Sequence, residues 1–77
     1  MRKISEVAHD VRREWKNVYF GAVPYLQAMY DLNDVGDHYG LDDAKSIVLY
    51  FLANAQSFRG AKARELKAEL KQIVGVK

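Results

Sequence analysis

Cysteine is absent from this chain of 77 residues, and proline occurs only once. Without cysteine the chain can form neither a disulfide nor a thiolate metal cluster. Long apolar runs are also absent: the longest, residues 47–53, is far shorter than the ~20 residues that cross a membrane. Acidic Glu6 follows the first basic residues without a long apolar segment, so we expect no secretory signal peptide. We therefore expect a cytoplasmic protein with no membrane partner.

The chain is short but rich in apolar residues. Hydrophobic residues make up 49% of it, which is typical of a folded domain and not of a disordered one. A domain of this size buries only about 60% of the surface of its unfolded chain, so it usually needs an additional source of stability. Because disulfides are excluded, we expect a partner chain to supply it. The sequence predicts a single domain over residues 1–77 that forms a homo-oligomer.

Charge is distributed unevenly along the chain. No Lys or Arg occurs in residues 17–44, which contain five aspartates, whereas residues 45–77 contain seven basic side chains and two glutamates. The overall net charge of +2 is too small to indicate nucleic-acid binding by itself. Packing within one chain, or a head-to-tail or swapped assembly, could bring the acidic and basic segments together.

Apolar residues recur at helical spacing in four segments. The first helix is predicted over residues 3–17, and its apolar stripe runs from Ile4 to Val18 at intervals of three and four. Pro24 indicates a break before a second helix over residues 24–32, although one kinked helix from residue 18 onward is an alternative. Two further helices are predicted over residues 43–56 and 61–74. The predicted fold class is all-α, a small compact bundle of three to four helices.

The third predicted helix is apolar on nearly all sides. A second apolar surface, formed by Leu49, Tyr50 and Ala53, lies opposite its main stripe. Helices that are hydrophobic all round are buried, and so short a chain has little material with which to cover both sides. We therefore assign Leu49, Tyr50 and Ala53 to an oligomer interface. The alternative is that the second helix and the polar loop cover them.

A polar loop rich in aspartate, residues 31–43, suggests calcium at first sight. Counted from Asp31 in an EF-hand frame, Val35 falls at position 5, where it offers no ligand, and Asp42 replaces the longer glutamate at position 12. We therefore predict no metal site, and interpret the loop as turns that lead to an N-cap at Asp42.

No catalytic constellation is visible. His9 and His38 are the only histidines, and no serine or cysteine arrangement accompanies either of them. A catalytic pair needs a base, a nucleophile and an orienting group that converge. The prediction is a protein that is not an enzyme and carries no cofactor.

The most informative polar residues lie between the third and fourth helices and along one side of the fourth. A helix N-terminus favours anions, glycine permits close approach to the backbone, and arginine adds forked hydrogen bonds. The candidate ligand-binding residues are Asn54, Ser57, Arg59, Gly60, Arg64, Lys67 and Lys71. Their predicted ligand bears phosphate, as a nucleotide or nucleic acid does. In the alternative interpretation, Asn54 and Ser57 only cap helices and Arg59 pairs with an aspartate.

Aromatic residues make up 12% of the chain. Aromatic side chains interleaved with arginine can stack on bases, and tyrosines are enriched at protein interfaces. An exposed aromatic surface would favour a second function, that of an inhibitor that docks on a host protein.

The segments just described carry a resemblance. They are similar to a group of very small hypothetical proteins of tailed bacteriophages and prophages, over about residues 4–72. The segments that carry the likeness are residues 15–26, 46–55, 59–60 and 63–71. The resemblance implies a setting, the cytoplasm of an infected bacterial host cell, and no specific activity. Small phage proteins of this type often interfere with host machinery or host defence by binding an enzyme or sequestering a nucleotide signal.

Overall fold

The computed structural model describes residues 2–75, and this part of the chain contains four α-helices, one 3₁₀ turn and a two-stranded hairpin. In chain order the elements are α1 (Ile4–Glu14), the 3₁₀ turn (Phe20–Ala22), α2 (Val23–Met29), β1 (His38–Tyr39), β2 (Asp42–Asp43), α3 (Ala44–Ala53) and α4 (Ala61–Ile73). The predicted compact, mainly helical bundle is confirmed. The hairpin was not predicted, and because of it the fold is not all-α as expected.

Helix α1 buries the predicted apolar stripe but ends earlier than predicted. Ile4, Val7 and Val11 have no exposed surface. Trp15 adopts an extended conformation, with φ −100° and ψ 92°, and its ring stacks on Phe58 with 5.1 Å between centroids. The predicted end at residue 17 is wrong because this tertiary contact takes Trp15 out of the helix.

The sequence left open whether residues 18–32 form one kinked helix or a break and a short helix, and the structure combines the two: helical turns begin at Phe20, before Pro24, and α2 is short. The 3₁₀ turn leads directly into α2, and Pro24 lies in the first turn of α2, where its missing N–H is not needed. The helix ends at Met29 and not at residue 32. The carbonyls of Leu32 and Asn33 accept hydrogen bonds from the first two N–H groups of α1, each at 2.8 Å. The chain after α2 therefore closes the start of α1.

The acidic loop contains the hairpin. Strands β1 and β2 pair antiparallel, with Tyr39 opposite Asp42, and Gly40 makes the turn with φ +64°, a conformation that glycine adopts without cost. The N-cap of α3 is Asp43, whose side chain accepts a hydrogen bond from the Ser46 N–H at 2.7 Å. The prediction of Asp42 as the N-cap is therefore wrong by one residue, because the hairpin extends through Asp43 and α3 begins at Ala44.

The core lies between two helix pairs. Helix α1 packs mainly on α4, and α2 packs mainly on α3. Helix α3 ends at Ala53, three residues before the predicted end, because Asn54 leaves the helical conformation. Helix α4 spans almost the whole predicted range. The largest fully buried side chains are Phe51, Ile4, Met29, Leu32, Leu66, Leu70, Val7, Val11 and Val48. No described helix has the length and apolar character to cross a membrane.

Candidate anion-binding site

The predicted ligand-binding residues separate into two groups. Asn54 and Ser57 line an open cavity of about 330 Å³ together with Tyr19, Ala53 and Gln56. The side-chain amide of Asn54 also donates a hydrogen bond to the Tyr50 carbonyl at 2.9 Å. Asn54 thus closes the end of α3, which is the capping role given as its alternative. The four predicted basic residues lie outside this cavity.

Gly60 is the N-cap of α4. Its φ of +110° is a conformation that other residues rarely adopt, and a Cβ built there meets nothing within 4 Å. No side chain caps α4, and its first turn contains no acidic residue. The first N–H groups of a helix lack partners within the helix. The backbone at Gly60 is therefore open to solvent and carries the partial positive charge of a helix N-terminus.

Three of the four predicted basic side chains form a cluster, which we call the basic cluster: Arg59, Lys67 and Lys71. The ammonium of Lys67 lies 5.8 Å from the centre of the Phe58 ring. Burial lowers the pKa of Lys67, and the nearby charges of Lys71 and Arg59 lower it further. Lys67 is thus a partly desolvated cation with two like charges close by.

Arg64 is the fourth predicted basic residue. It is exposed on α4 and forms no ion pair with a carboxylate of the described chain. Arg59 donates from Nε to the Gln56 carbonyl at 3.3 Å and pairs with no aspartate of the described chain. The ion pair given as the alternative for Arg59 is therefore not formed within residues 2–75.

Carboxylates near α4 are paired with other cations. Arg2 binds both oxygens of Glu69, at 2.9 and 2.7 Å, and Asp10 at 2.5 Å. The hydrogen bond to Arg2 is the main reason why the pKa values of Asp10 and Glu69 are lowered. Glu65 lies 3.8 Å from Lys62. Across residues 2–75, no carboxylate forms an ion pair with the basic cluster.

Three aspartates of the acidic loop, Asp34, Asp37 and Asp43, accept backbone hydrogen bonds. Asp34 accepts from the Gly36 N–H at 2.9 Å, and Asp37 from the Asn33 N–H at 2.6 Å. The bonds that Asp43 accepts from Ser46 lower the pKa of Asp43. In the described chain, no group of three His, Asp or Glu side chains is placed to hold a metal ion.

Exposed aromatic and apolar side chains share one side of the molecule. Tyr19 contacts Phe20 with ring centroids 4.8 Å apart, and Tyr25 contacts Tyr50 at 5.5 Å. Phe20 is 80% exposed and Tyr50 is 52% exposed. Leu49 and Ala53 are exposed beside them, as the interface prediction requires. We call Tyr19, Phe20, Tyr25, Leu49 and Tyr50 the aromatic face.

A further groove, beside α1, was not predicted from the sequence. It lies between the end of α1 and α2, has a volume of about 420 Å³, and carries Arg12, Lys16, Asn17 and Gln27 on its walls. Arg13 instead pairs with Asp10. The sequence did contain a signal for this groove. Arg12 and Lys16 are four residues apart, and the residues four positions before Arg12 and four positions after Lys16 are not acidic. We call this cavity the α1–α2 groove.

Comparison with known proteins adds no relative: no family model, no curated protein and no solved structure matches the chain.

Proposed function

We propose that this protein is a non-enzymatic binding protein for a phosphate-bearing ligand, a nucleotide or nucleic acid, and that the ligand contacts the basic cluster. The observation that carries the proposal is the position of Lys67, held beside Arg59 and Lys71 with no carboxylate of the described chain paired to any of the three. Like charges brought together at a partly buried position repel one another, and a bound anion relieves that repulsion.

The chemistry of the cluster suits phosphate. Arg59 offers a planar fork of donors, and Lys67 and Lys71 offer compact charges. The N-terminus of α4 at Gly60 adds N–H groups that nearby side chains leave free. Neither of the two cavities described above is lined by the basic cluster. An open surface of this kind fits a phosphate that belongs to an extended strand better than an enclosed nucleotide.

A titration of a fluorescently labelled oligonucleotide, with unlabelled nucleotides as competitors, tests the proposal at low and moderate salt. Lys67→Met keeps a long unbranched side chain and removes the charge. Loss of one charge-assisted contact costs about 1.5–3 kcal/mol, so affinity should fall roughly ten- to a hundredfold. Binding to the native protein should also weaken steeply with salt.

Lys45→Met is the matched control, because Lys45 is an exposed lysine on α3, outside the cluster. An equal loss of affinity in Lys45→Met and Lys67→Met would show that binding is nonspecific and would overturn the proposal. Arg64→Ala tests the fourth predicted residue. We expect it to weaken binding and leave stability nearly unchanged, since exposed charges contribute little to folding. Unfolding of Arg64→Ala would instead show a structural role for Arg64.

The biological setting comes from the phage resemblance. In that setting the protein would act in the cytoplasm of the bacterial host and interfere with host machinery or defence by holding a nucleotide or nucleic acid. Native mass spectrometry of the protein from a cell lysate tests whether it holds a nucleotide or nucleic acid, because the measurement reports the subunit number and any retained ligand together.

The aromatic face supports a second candidate function, that of an inhibitor that docks on a host protein. Its exposed rings, Phe20 above all, are of the type enriched at protein interfaces. The same surface is the proposed homo-oligomer interface. Tyr50→Glu should shift the assembly toward monomer without unfolding, whereas Gln72→Glu, which adds a negative charge at an exposed position of α4, should not. A light-scattering mass near 8.8 kDa for the native protein at micromolar concentration would contradict self-association through this face.

A further inference from the structure

The tip of the hairpin exposes an apolar side chain beside a carboxylate. Leu41 is fully exposed, at 102% of its reference surface, and follows Gly40 in the turn. Tyr39 and Val35, in the same loop, are 46% and 45% exposed. A completely exposed leucine stabilises nothing within its own chain, because the hydrophobic contribution to folding scales with buried area.

Asp42 is the carboxylate available next to this leucine. Three other aspartates of the loop, Asp34, Asp37 and Asp43, accept hydrogen bonds from backbone N–H groups and so hold the turns. Asp42 accepts no such bond and forms no ion pair within residues 2–75. The hairpin therefore presents Leu41 and a free negative charge together on a well-defined turn.

The α1–α2 groove has the complementary chemistry. Val18, Val23 and Leu26 line it with apolar surface, and Arg12 and Lys16 place two positive charges at its wall. No carboxylate lines the groove, and neither cation forms an ion pair within the described chain. Such a groove would bind an apolar side chain flanked by a carboxylate, because the apolar side chain would cover the floor of the groove and the carboxylate would pair with its positive charges.

The hairpin and the groove of one chain do not meet. The first N–H of α1 bonds to the carbonyl of Asn33, so α1 starts beside the acidic loop, whereas Arg12 lies in its last turn and Lys16 lies beyond its end. The full exposure of Leu41 shows that the hairpin tip lies in no groove of its own chain. We infer that the hairpin tip of one copy docks in the α1–α2 groove of a second copy, head to tail.

Such a contact is heterologous, and this gives it a distinctive signature. Each copy uses two different surfaces, so the assembly continues as a ring or a chain. A chain with a defective hairpin still has an intact groove, and a chain with a defective groove still has an intact hairpin. The two defective chains should bind each other although neither binds itself through this contact.

A mixing experiment by nuclear magnetic resonance tests the inference. Leu41→Ser/Asp42→Asn is the hairpin variant, and Arg12→Gln/Lys16→Gln is the groove variant. The hairpin variant is labelled with ¹⁵N and titrated with the unlabelled groove variant at low salt. Backbone amides of Val18, Leu26 and Gln27 in the labelled chain should shift and saturate. Reversing the labels should move the shifts to residues 39–42.

The expected losses are measurable. Removing the leucine anchor should weaken self-association of the native chain roughly tenfold or more, because the apolar surface of Leu41 would otherwise be buried in the groove of the second copy. Val35→Ser/Asp31→Asn is the matched control: it makes the same chemical changes in the same loop, away from the tip, and should leave association unchanged. The amide spectra report whether each variant is folded, and Leu41→Ser alone serves if the double variant disturbs the hairpin.

Three results would overturn the inference. The first is an absence of shifts on mixing the two variants. The second is a set of shifts confined to Tyr50 and its neighbours, which would assign association to the aromatic face. The third is self-association of the hairpin variant equal to that of the native chain. Contacts through the aromatic face would be present in both variants alike, so they would not produce shifts in the groove with one labelling and in the hairpin with the other.

Discussion

Phe58 connects the core to the basic cluster, and its replacement by leucine is the sharpest test of the structure. The ring is 3% exposed, although it lies in the connection between α3 and α4 and not in a helix. One face stacks on Trp15, with 5.1 Å between centroids and 18° between planes. The Lys67 ammonium lies 5.8 Å from its centre. Phe58→Leu retains an apolar side chain and removes both ring interactions.

The expected loss can be worked out from these two contacts. A stacked aromatic pair contributes about 0.5–1.5 kcal/mol beyond its buried area, and an exposed cation–π contact contributes about 0.5–1 kcal/mol. Together they predict a decrease of about 1–2.5 kcal/mol in the free energy of unfolding. For a domain of this size, 1 kcal/mol corresponds to about 4–8 °C in Tm, so the Tm should fall by roughly 4–20 °C.

Urea denaturation followed by tryptophan fluorescence is the appropriate assay, because Trp15 is the single tryptophan and contacts the altered ring. Lys67→Met and the double variant complete a double-mutant cycle, whose coupling energy should be about 0.5–1 kcal/mol. Phe20→Leu is the matched control. Phe20 is 80% exposed, so its replacement should change stability by less than about 0.5 kcal/mol.

A loss in Phe58→Leu no larger than in Phe20→Leu, with an unchanged urea m-value, would refute this reasoning. It would mean that the stack of Trp15, Phe58 and Lys67 does not stabilise the fold. A coupling energy near zero, with a large loss in Phe58→Leu, would instead assign the stabilisation to Trp15 alone.

Two further predictions concern the charged groups. Arg2 lowers the pKa values of Asp10 and Glu69 below their unfolded values of 3.8 and 4.5. Their contribution to stability is therefore complete above about pH 4.5 and is lost as the pH falls through the folded-state pKa values. Arg2→Gln should flatten this acid dependence in a melting series, whereas Lys16→Gln, at an exposed lysine that pairs with neither carboxylate, should not. Equal slopes in Arg2→Gln and the native protein would contradict the ion-pair network. Millimolar calcium should raise the Tm no more than magnesium does, because three loop aspartates already hold backbone N–H groups, and a rise of several degrees with calcium alone would show a metal site.

The candidate site could be predicted in part. The basic flank of α4 follows from the spacing of Lys67 and Lys71, four residues apart in a continuous helix. The grouping of Arg59 with them depends on where the connection between α3 and α4 places Arg59, next to Phe58. The spacing of Arg12 and Lys16 did not reveal the α1–α2 groove as a cavity, because the cavity exists only where α2 packs against α1.

Local sequence determined those elements whose signals are themselves local. Helix α4 lies between Gly60 and Gly75, both with positive φ, and its 3.6-residue period is uninterrupted, so its limits were predicted almost to the residue. Tertiary structure decided the other ends. Trp15 continues the stripe of α1 in the sequence, yet it leaves the helix because stacking on Phe58 requires an extended backbone.

The hairpin illustrates the same division. Strands of two residues are too short to show an alternating period, so the sequence predicted only turns rich in aspartate. Pairing of β1 with β2 sets the register, places Asp42 opposite Tyr39, and moves the N-cap of α3 to Asp43. Composition and periodicity could not predict these features. Hydrogen bonds between residues distant in sequence and ring stacking between elements decided them, because the energies of such contacts depend on which surfaces meet in the fold and not on which residues are neighbours in the sequence.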